Sequence, residues 1–147
     1  MGEDTIIAKL NLIDAQIKHE DDLIGLRMSW LVISQSFLFG TFATLVGLKG
    51  VVSTSAGAAV RLLLTVIPVV GVFLPFLVLV AVGAATYAIW QWRAEGDRIC
   101  KMAEAKELDW PALKHQNLVT VLGHLLPIAV SVGFLAAWFV ILYKLET

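Results

Sequence analysis

Residues 5–48 decide the fold, and they read TIIAKLNLIDAQIKHEDDLIGLRMSWLVISQSFLFGTFATLVGL. The stretch contains no proline, and its character changes once, near Trp30. Residues 5–29 are charged and amphipathic, whereas residues 31–48 carry no ionisable side chain. Because nothing here interrupts a helix, the stretch predicts one long helix. Its first half, residues 5–29, lies in the cytoplasm, and its second half, residues 30–48, crosses a bilayer.

The composition of the whole chain indicates an integral membrane protein. Apolar residues make up 59% of the 147 positions, against roughly 45–50% in soluble domains. They also lie in long blocks, and mean hydropathy is +0.82. A soluble domain of this size has no core large enough to bury three such blocks. We therefore expect a single all-α membrane domain with three transmembrane helices and the lipid bilayer as its main partner.

Charge and cysteine content exclude several other classes. The formal net charge of −1 argues against a nucleic-acid partner, because proteins that bind nucleic acids usually have a strongly basic surface. The single cysteine, Cys100, forms no internal disulfide and gives no sign of a secreted disulfide scaffold. The N-terminus lacks the pattern of a cleaved signal peptide, because its first charges are acidic and no apolar run follows closely.

Apolar residues recur every three or four positions along the amphipathic segment, close to a heptad pattern. Two interpretations stay open at this point. The stripe packs on the cytoplasmic part of the same chain, or it forms a parallel coiled coil between subunits. The residues of the stripe are Ile6, Leu10, Ile13, Ile17, Ile24, Met28 and Leu31.

The apolar run at residues 62–92 is too long for one helix that crosses the membrane upright, and it is too short for two full crossings. Its first half contains Pro68, Gly71 and Pro75. We predict a kinked or interfacial segment at residues 60–67, followed by one crossing at residues 68–92. The alternative is a tight hairpin that turns at residues 71–75 and crosses twice.

A polar cytoplasmic loop or helix is predicted at residues 93–116, and the third crossing at residues 118–143, with Pro127 near its middle. With three crossings, eight Lys and Arg residues fall on the side of the N-terminus and three on the other side. This bias predicts that the N-terminus lies in the cytoplasm and the C-terminus outside. The proportions of the chain are those of many small bacterial membrane proteins, so we expect a multi-pass protein of the inner membrane.

Cations and aromatic rings are expected to mark the membrane borders, because such side chains favour the headgroup region. We assign one group to the inner border and the other to the outer border. The inner group is Arg27, Trp30, Trp90, Trp92, Arg93 and Trp110, and the outer group is Trp138 and Tyr143.

Small residues repeat every four positions on the first and third spans. Such ridges let helices approach closely in lipid, so we predict a homo-oligomer that assembles through the first or the third span. The ridge on the first span is Ser36, Gly40 and Thr44, and the ridge on the third span is Ala129, Gly133 and Ala137.

Two strongly polar side chains fall within the predicted spans. Gln35 is expected to bond a neighbouring helix, as an amide in hydrocarbon usually does. His124 has two interpretations: a neutral imidazole bonded to a carbonyl or to Gln35, or a group that senses protons or a ligand.

No pattern of residues points to catalysis. The spans contain no aspartate or glutamate, their serines lack a nearby base, and no histidine stands at metal-ligand spacing to another or to Cys100. We expect no enzyme, no cofactor and no metal. Two functions remain: a self-associating protein that forms a pore or perturbs the membrane, as effectors and toxins do, or an accessory subunit that docks a protein partner through its cytoplasmic helices.

Overall fold

The structure, a computed structural model, describes residues 3–48, 54–102 and 118–146, and each range is one α-helix. The helices are α1 (Glu3–Leu48), α2 (Thr54–Met102) and α3 (Leu118–Glu146). All three are long and apolar enough to cross a membrane, and the described ranges contain no strand. These findings confirm the all-α membrane fold with three candidate spans.

Helix α1 continues through the change of character at Trp30. Its 46 residues are about 69 Å long at 1.5 Å per residue, more than twice the ~30 Å hydrocarbon thickness of a bilayer. The amphipathic part and the apolar part are therefore one rod, as predicted. The helix must extend far beyond the membrane on at least one side.

Helix α2 decides against the hairpin alternative for the second apolar run. It is continuous for 49 residues and contains both Pro68 and Pro75. Residues 71–75 therefore make no hairpin turn, residues 60–67 belong to the same helix as residues 68–92, and that helix continues past Arg93 to Met102. A proline removes one helical hydrogen bond, but a neighbouring helix in a membrane can satisfy the carbonyl that is set free. The remainder of the predicted 93–116 segment lies outside the described residues.

The order of contacts along the chain places α2 between two antiparallel neighbours. Gln35 of α1 bonds the backbone at Gly71, whereas Arg27 bonds it at Ala81, so the two helices run in opposite directions. Trp138 of α3 lies against Gly71, and Ile128 of α3 packs on the cluster that contains Val82. Helix α3 is therefore also antiparallel to α2, and α1 and α3 run parallel to each other.

The stripe on the first half of α1 packs on α2 of the same chain. Its residues Leu10, Ile13, Ile17 and Ile24 are buried. They form one apolar cluster with α2 residues from both the apolar run and the segment after it, namely Val82, Ala85, Ile89 and Ile99. The intramolecular interpretation of the stripe is confirmed, and the coiled coil between subunits is not supported, because α2 already covers this face.

Candidate functional site: a polar junction of three helices

Gln35 lies at the point where all three helices meet. Its side chain is fully buried. The amide Nε2 donates a hydrogen bond to the carbonyl of Gly71 on α2 at 3.3 Å. The Oε1 atom accepts a hydrogen bond from the indole Nε1 of Trp138 on α3. The prediction that Gln35 bonds a neighbouring helix is confirmed, and it bonds two.

The Gly71 carbonyl is available to Gln35 because of Pro75. In an α-helix a carbonyl accepts the N–H four residues further along, and residue 75 has no N–H. Since an unpaired carbonyl in an apolar interior costs several kcal/mol, a donor from another helix is strongly favoured there. Gln35 supplies that donor, so the proline in α2 explains the amide in α1.

Gly71 also makes room for Trp138. A Cβ atom at position 71 would lie 2.6 Å from the indole Nε1, well inside van der Waals contact. Only a residue without a side chain lets the ring lie flat against the backbone of α2. The glycine thus contributes both the carbonyl and the space that the junction needs.

Aromatic rings enclose the indole of Trp138. Phe39 of α1 stacks on it with ring centroids 4.4 Å apart and planes 6° apart. Phe42 meets it edge-on at 5.8 Å, and Phe134 of α3 lies 6.1 Å from Phe39. Offset stacking and edge-on contacts stabilise aromatic pairs by about 0.5–1.5 kcal/mol beyond area burial. The cluster ties α1 to α3 on one side of the junction.

The chemistry of the junction is that of a contact that stabilises the fold. Its donors and acceptors bond one another, and it presents neither a nucleophile nor an acid–base pair. Buried Ser131 of α3 donates to the Pro127 carbonyl of its own helix at 2.9 Å. Among the described residues, no group of three or more His, Cys, Asp or Glu side chains is placed to hold a metal ion.

A second polar contact joins α1 and α2 at the predicted membrane border. The guanidinium Nη1 of Arg27 donates to the carbonyl of Ala81 at 3.4 Å. Arg27 is half-buried, so the charge lies against the helix rather than free in solution. This bond fixes which residues of the two helices share one level.

The glycines of both predicted small-residue ridges lie away from the helix contacts within the chain. Ser36, Gly40 and Thr44 are exposed, and a Cβ at Gly40 or Gly133 would meet nothing within 4 Å. The hydroxyl groups of Ser36 and Thr44 donate to carbonyls of α1 itself. On the third span, Ala129 and Gly133 are exposed and Ala137 is half-buried.

Among the predicted border residues, Trp138 is corrected. It is fully buried in the junction, whereas Trp30 and Trp90 are 66% and 67% exposed. The indole N–H of a tryptophan in hydrocarbon needs an acceptor, and Gln35 provides one away from the headgroups. Tyr143 and Trp92 are exposed and Arg93 is half-buried. Trp110 and the side chain of His124 lie outside the described residues.

Sequence reasoning missed the roles of Gly71 and Pro75, although the four-residue spacing between them could have indicated these roles. A glycine four residues before a proline marks a carbonyl without a helical donor and without a side chain to shield it. Gly123 and Pro127 repeat the spacing on α3.

Comparison with known proteins gives no family for the chain. No protein-family model, no curated protein and no solved structure matches it.

Proposed function

We propose that the chain is a non-enzymatic membrane protein that self-associates through its helices and so forms a pore or perturbs the bilayer. The observation that carries the proposal is the position of the two ridges. The folded chain uses Gln35 and Trp138 for its own contacts but leaves Gly40 and Gly133 with open space around them. In lipid, close packing of small residues is a main source of helix association.

The register of α1 and α2 supports a particular depth in the membrane. Arg27 and Ala81 share one level. Arg61 precedes Ala81 by 20 positions, which is about 30 Å of helix at 1.5 Å per residue. On α1, no ionisable residue follows Arg27 up to the end of the helix at Leu48, 21 positions later, or about 32 Å. Both distances match the ~30 Å hydrocarbon layer.

Helix α3 shares this register through Trp138, which lies level with Gln35 and Gly71. Arg27 precedes Gln35 by 8 positions and Ala81 follows Gly71 by 10, so their level meets α3 near residues 128–130. We infer a hydrocarbon layer that contains residues 28–48 and 62–81, together with α3 from about residue 130 onward. The second crossing then lies nearer the start of α2 than residues 68–92. The remaining part of the α1–α2 pair extends into the cytoplasm.

Orientation in the bacterial inner membrane is tested with the natural cysteine. Cys100 follows Ala81 by 19 positions on α2, about 28 Å beyond the inner border. We expect a membrane-impermeant maleimide to label Cys100 in inside-out vesicles and not in intact spheroplasts. Labelling in intact spheroplasts would place the N-terminus outside and contradict the proposal.

Self-association is tested with Gly40→Leu and Gly133→Leu, because a leucine holds the ridges apart. We expect each substitution to reduce the oligomer measured by light scattering in detergent and by crosslinking in membranes. Gly57→Leu is the control, since Gly57 also has open space around it but lies on α2 outside both ridges. An unchanged oligomer in both ridge variants would exclude this interface.

The effect on the membrane is tested by induced expression. We expect the wild-type chain to depolarise the membrane. A ridge variant that no longer forms the oligomer should not depolarise it. Normal membrane potential with an intact oligomer would exclude a pore and a general disturbance of the bilayer.

One observation favours the accessory-subunit alternative. Helix α2 carries no charge for 11 residues beyond Ala81, up to Arg93, about 18 Å past the inferred inner border. Val82, Ala85 and Ile89 are buried there, but Tyr87 and Trp90 are more than 60% exposed. Exposed aromatic residues such as these are typical of a surface that docks another protein. Tyr87→Ala with Trp90→Ala would abolish capture of a specific partner without changing the homo-oligomer.

A further inference from the structure

Helix α1 carries a second row of residues, separate from the stripe that packs on α2. Its members follow one another at intervals of seven positions, over 35 positions in all, or about 52 Å of helix. Every member is exposed, and a Cβ on either glycine of the row would meet nothing within 4 Å. This heptad row is Leu12, His19, Leu26, Ile33, Gly40 and Gly47.

We propose that the heptad row docks α1 of a second copy of the chain, and that the two helices form a parallel, left-handed coiled coil. The inference rests on the proposed self-association, and it names the helix that pairs, the direction of the pairing and its extent. The contact then reaches beyond the small-residue ridge of the span, as far as Leu12 in the amphipathic part of α1.

The interval of seven positions indicates the kind of partner. A straight α-helix drifts by about 20° per heptad, so the row turns by about 100° around α1 over its five intervals. A straight neighbour leaves such a row, whereas a helix that winds around α1 in a left-handed supercoil stays on it. Contact with lipid requires no such interval.

A second set of residues alternates with the heptad row at spacings of four and three, as the two core positions of a coiled coil do. Within the span this set is strongly exposed, with Trp30 at 66% and Phe37 at 72%, and Thr44 is exposed as well. In the amphipathic part, its members Gln16 and Leu23 are half-buried. Both core positions are therefore accessible to a second helix along most of α1.

Charges beside the row fit a parallel pair of first helices, which is the arrangement of two copies inserted in the same orientation. In such a coil, a residue that flanks the core on one helix lies opposite the residue five positions further along its partner. Asp22 and Arg27 have this spacing, and they are exposed and half-buried respectively. The Ala81 carbonyl engages one of the five N–H donors of the guanidinium. The carboxylate of each copy thus meets a cation of the other.

The same charges argue against α2 or α3 of a second copy as the partner. Arg27 and Ala81 share one level and their helices are antiparallel, so Asp22 lies at the level of residue 86. Residues 82–92 of α2 carry no charge, and residues 118–143 of α3 contain no lysine or arginine. Among the described helices, α1 is the one that offers a cation to Asp22 at this depth.

The contact is tested by cysteine crosslinking of the full-length protein in membranes, with Cys100→Ser as the background. We expect Leu12→Cys and Leu26→Cys each to form a disulfide-linked dimer on oxidation, because equal positions of the row meet across a parallel pair. Lys18→Cys is the control, since Lys18 is also exposed on the amphipathic part but lies off the row. It should remain monomeric on a denaturing gel.

The outcomes separate this inference from the proposed function. An oligomer that forms while the row cysteines stay unlinked, or link no better than Lys18→Cys, would overturn the α1 pairing and leave self-association intact. Crosslinks between the row and α2 or α3 of another copy would overturn it as well. A monomeric wild-type chain would refute self-association and this inference together.

The direction of the pairing is tested by exchanging charges. Asp22→Arg sets two cations against each other in a parallel pair, so it should reduce the crosslinked fraction of Leu26→Cys. Adding Arg27→Asp reverses the pair and should restore that fraction, although it also removes the bond to Ala81. An unchanged crosslinked fraction in Asp22→Arg would overturn the parallel arrangement.

Discussion

The indole ring of Trp138 occupies the space that a side chain at position 71 would need. This relationship links two residues on different helices that are 67 positions apart in sequence, and Gln35 bonds to both. The junction of the three helices therefore depends on a residue with no side chain and on one with the largest.

Gly71→Ala should destabilise the protein. The added Cβ overlaps the indole, and overpacking of this kind costs about 1–3 kcal/mol. Thermal unfolding in detergent, followed by circular dichroism, measures the effect. Gly83→Ala is the matched control, because a Cβ at Gly83 meets nothing within 4 Å. Equal melting temperatures for the two variants would show that Trp138 moves aside without cost.

Gln35→Leu removes the shared partner of Gly71 and Trp138 and leaves a carbonyl and an indole N–H without it. Interhelical bonds of this type contribute about 0.6–2 kcal/mol in membranes. In a double-mutant cycle with Trp138→Phe, the two losses should be less than additive, because they remove one common bond. If the two losses of unfolding free energy are strictly additive, the bond between Gln35 and Trp138 does not contribute to stability. Ser36→Ala, next to Gln35 but exposed, should change stability little.

Pro75→Ala tests the origin of the junction. An alanine supplies the N–H that can bond the Gly71 carbonyl within α2. This N–H then competes with the Gln35 amide for the same acceptor. The destabilisation caused by Gln35→Leu should therefore be smaller in the Pro75→Ala background than in the wild type. Pro68→Ala is the control, since it restores a donor to the carbonyl of Leu64 instead. The same penalty in all three backgrounds would disprove the mechanism.

Leu10 and Leu12 form a matched pair on the amphipathic part of α1. Leu10 is fully buried in the contact with α2, whereas Leu12 is 57% exposed. Leu10→Ala should cost about 2–5 kcal/mol, the usual range for a buried leucine, and should expose the N-terminal segment to limited proteolysis. Leu12→Ala should behave like the wild type. Similar protease sensitivity in both variants would mean that α1 does not pack on α2 in solution.

The sequence was sufficient to predict the membrane class and the long first helix. Residues 31–48 carry no charge, residues 5–29 repeat their apolar positions with helical spacing, and no proline separates the two parts. These are local properties, and local properties determine which residues enter lipid. The pairing of Gln35 with another helix also followed, because an amide in hydrocarbon needs a partner.

The continuity of α2 could not be predicted in the same way. Pro68, Gly71 and Pro75 usually weaken a helix, and their effect depends on whether another helix satisfies the freed carbonyl. That donor is Gln35, 36 positions before Gly71, and no local pattern connects the two. Trp138 was misplaced for a similar reason. Its position near the end of an apolar span resembles a border residue, but a buried acceptor and a glycine on other helices hold it inside.

The great length of the first two helices has a mechanical consequence. With the proposed hydrocarbon layer, the paired part of α1 and α2 extends about 32 Å beyond it, from Ala81 to the end of α2 at Met102, at 1.5 Å per residue. The buried seam from Leu10 to Ile99 makes this pair a stiff arm, with its pivot in the bilayer. A 10° change in tilt moves the far end of such an arm by on the order of 6 Å. Small adjustments among the spans, including those at the Gln35 junction, therefore become large displacements at the tip.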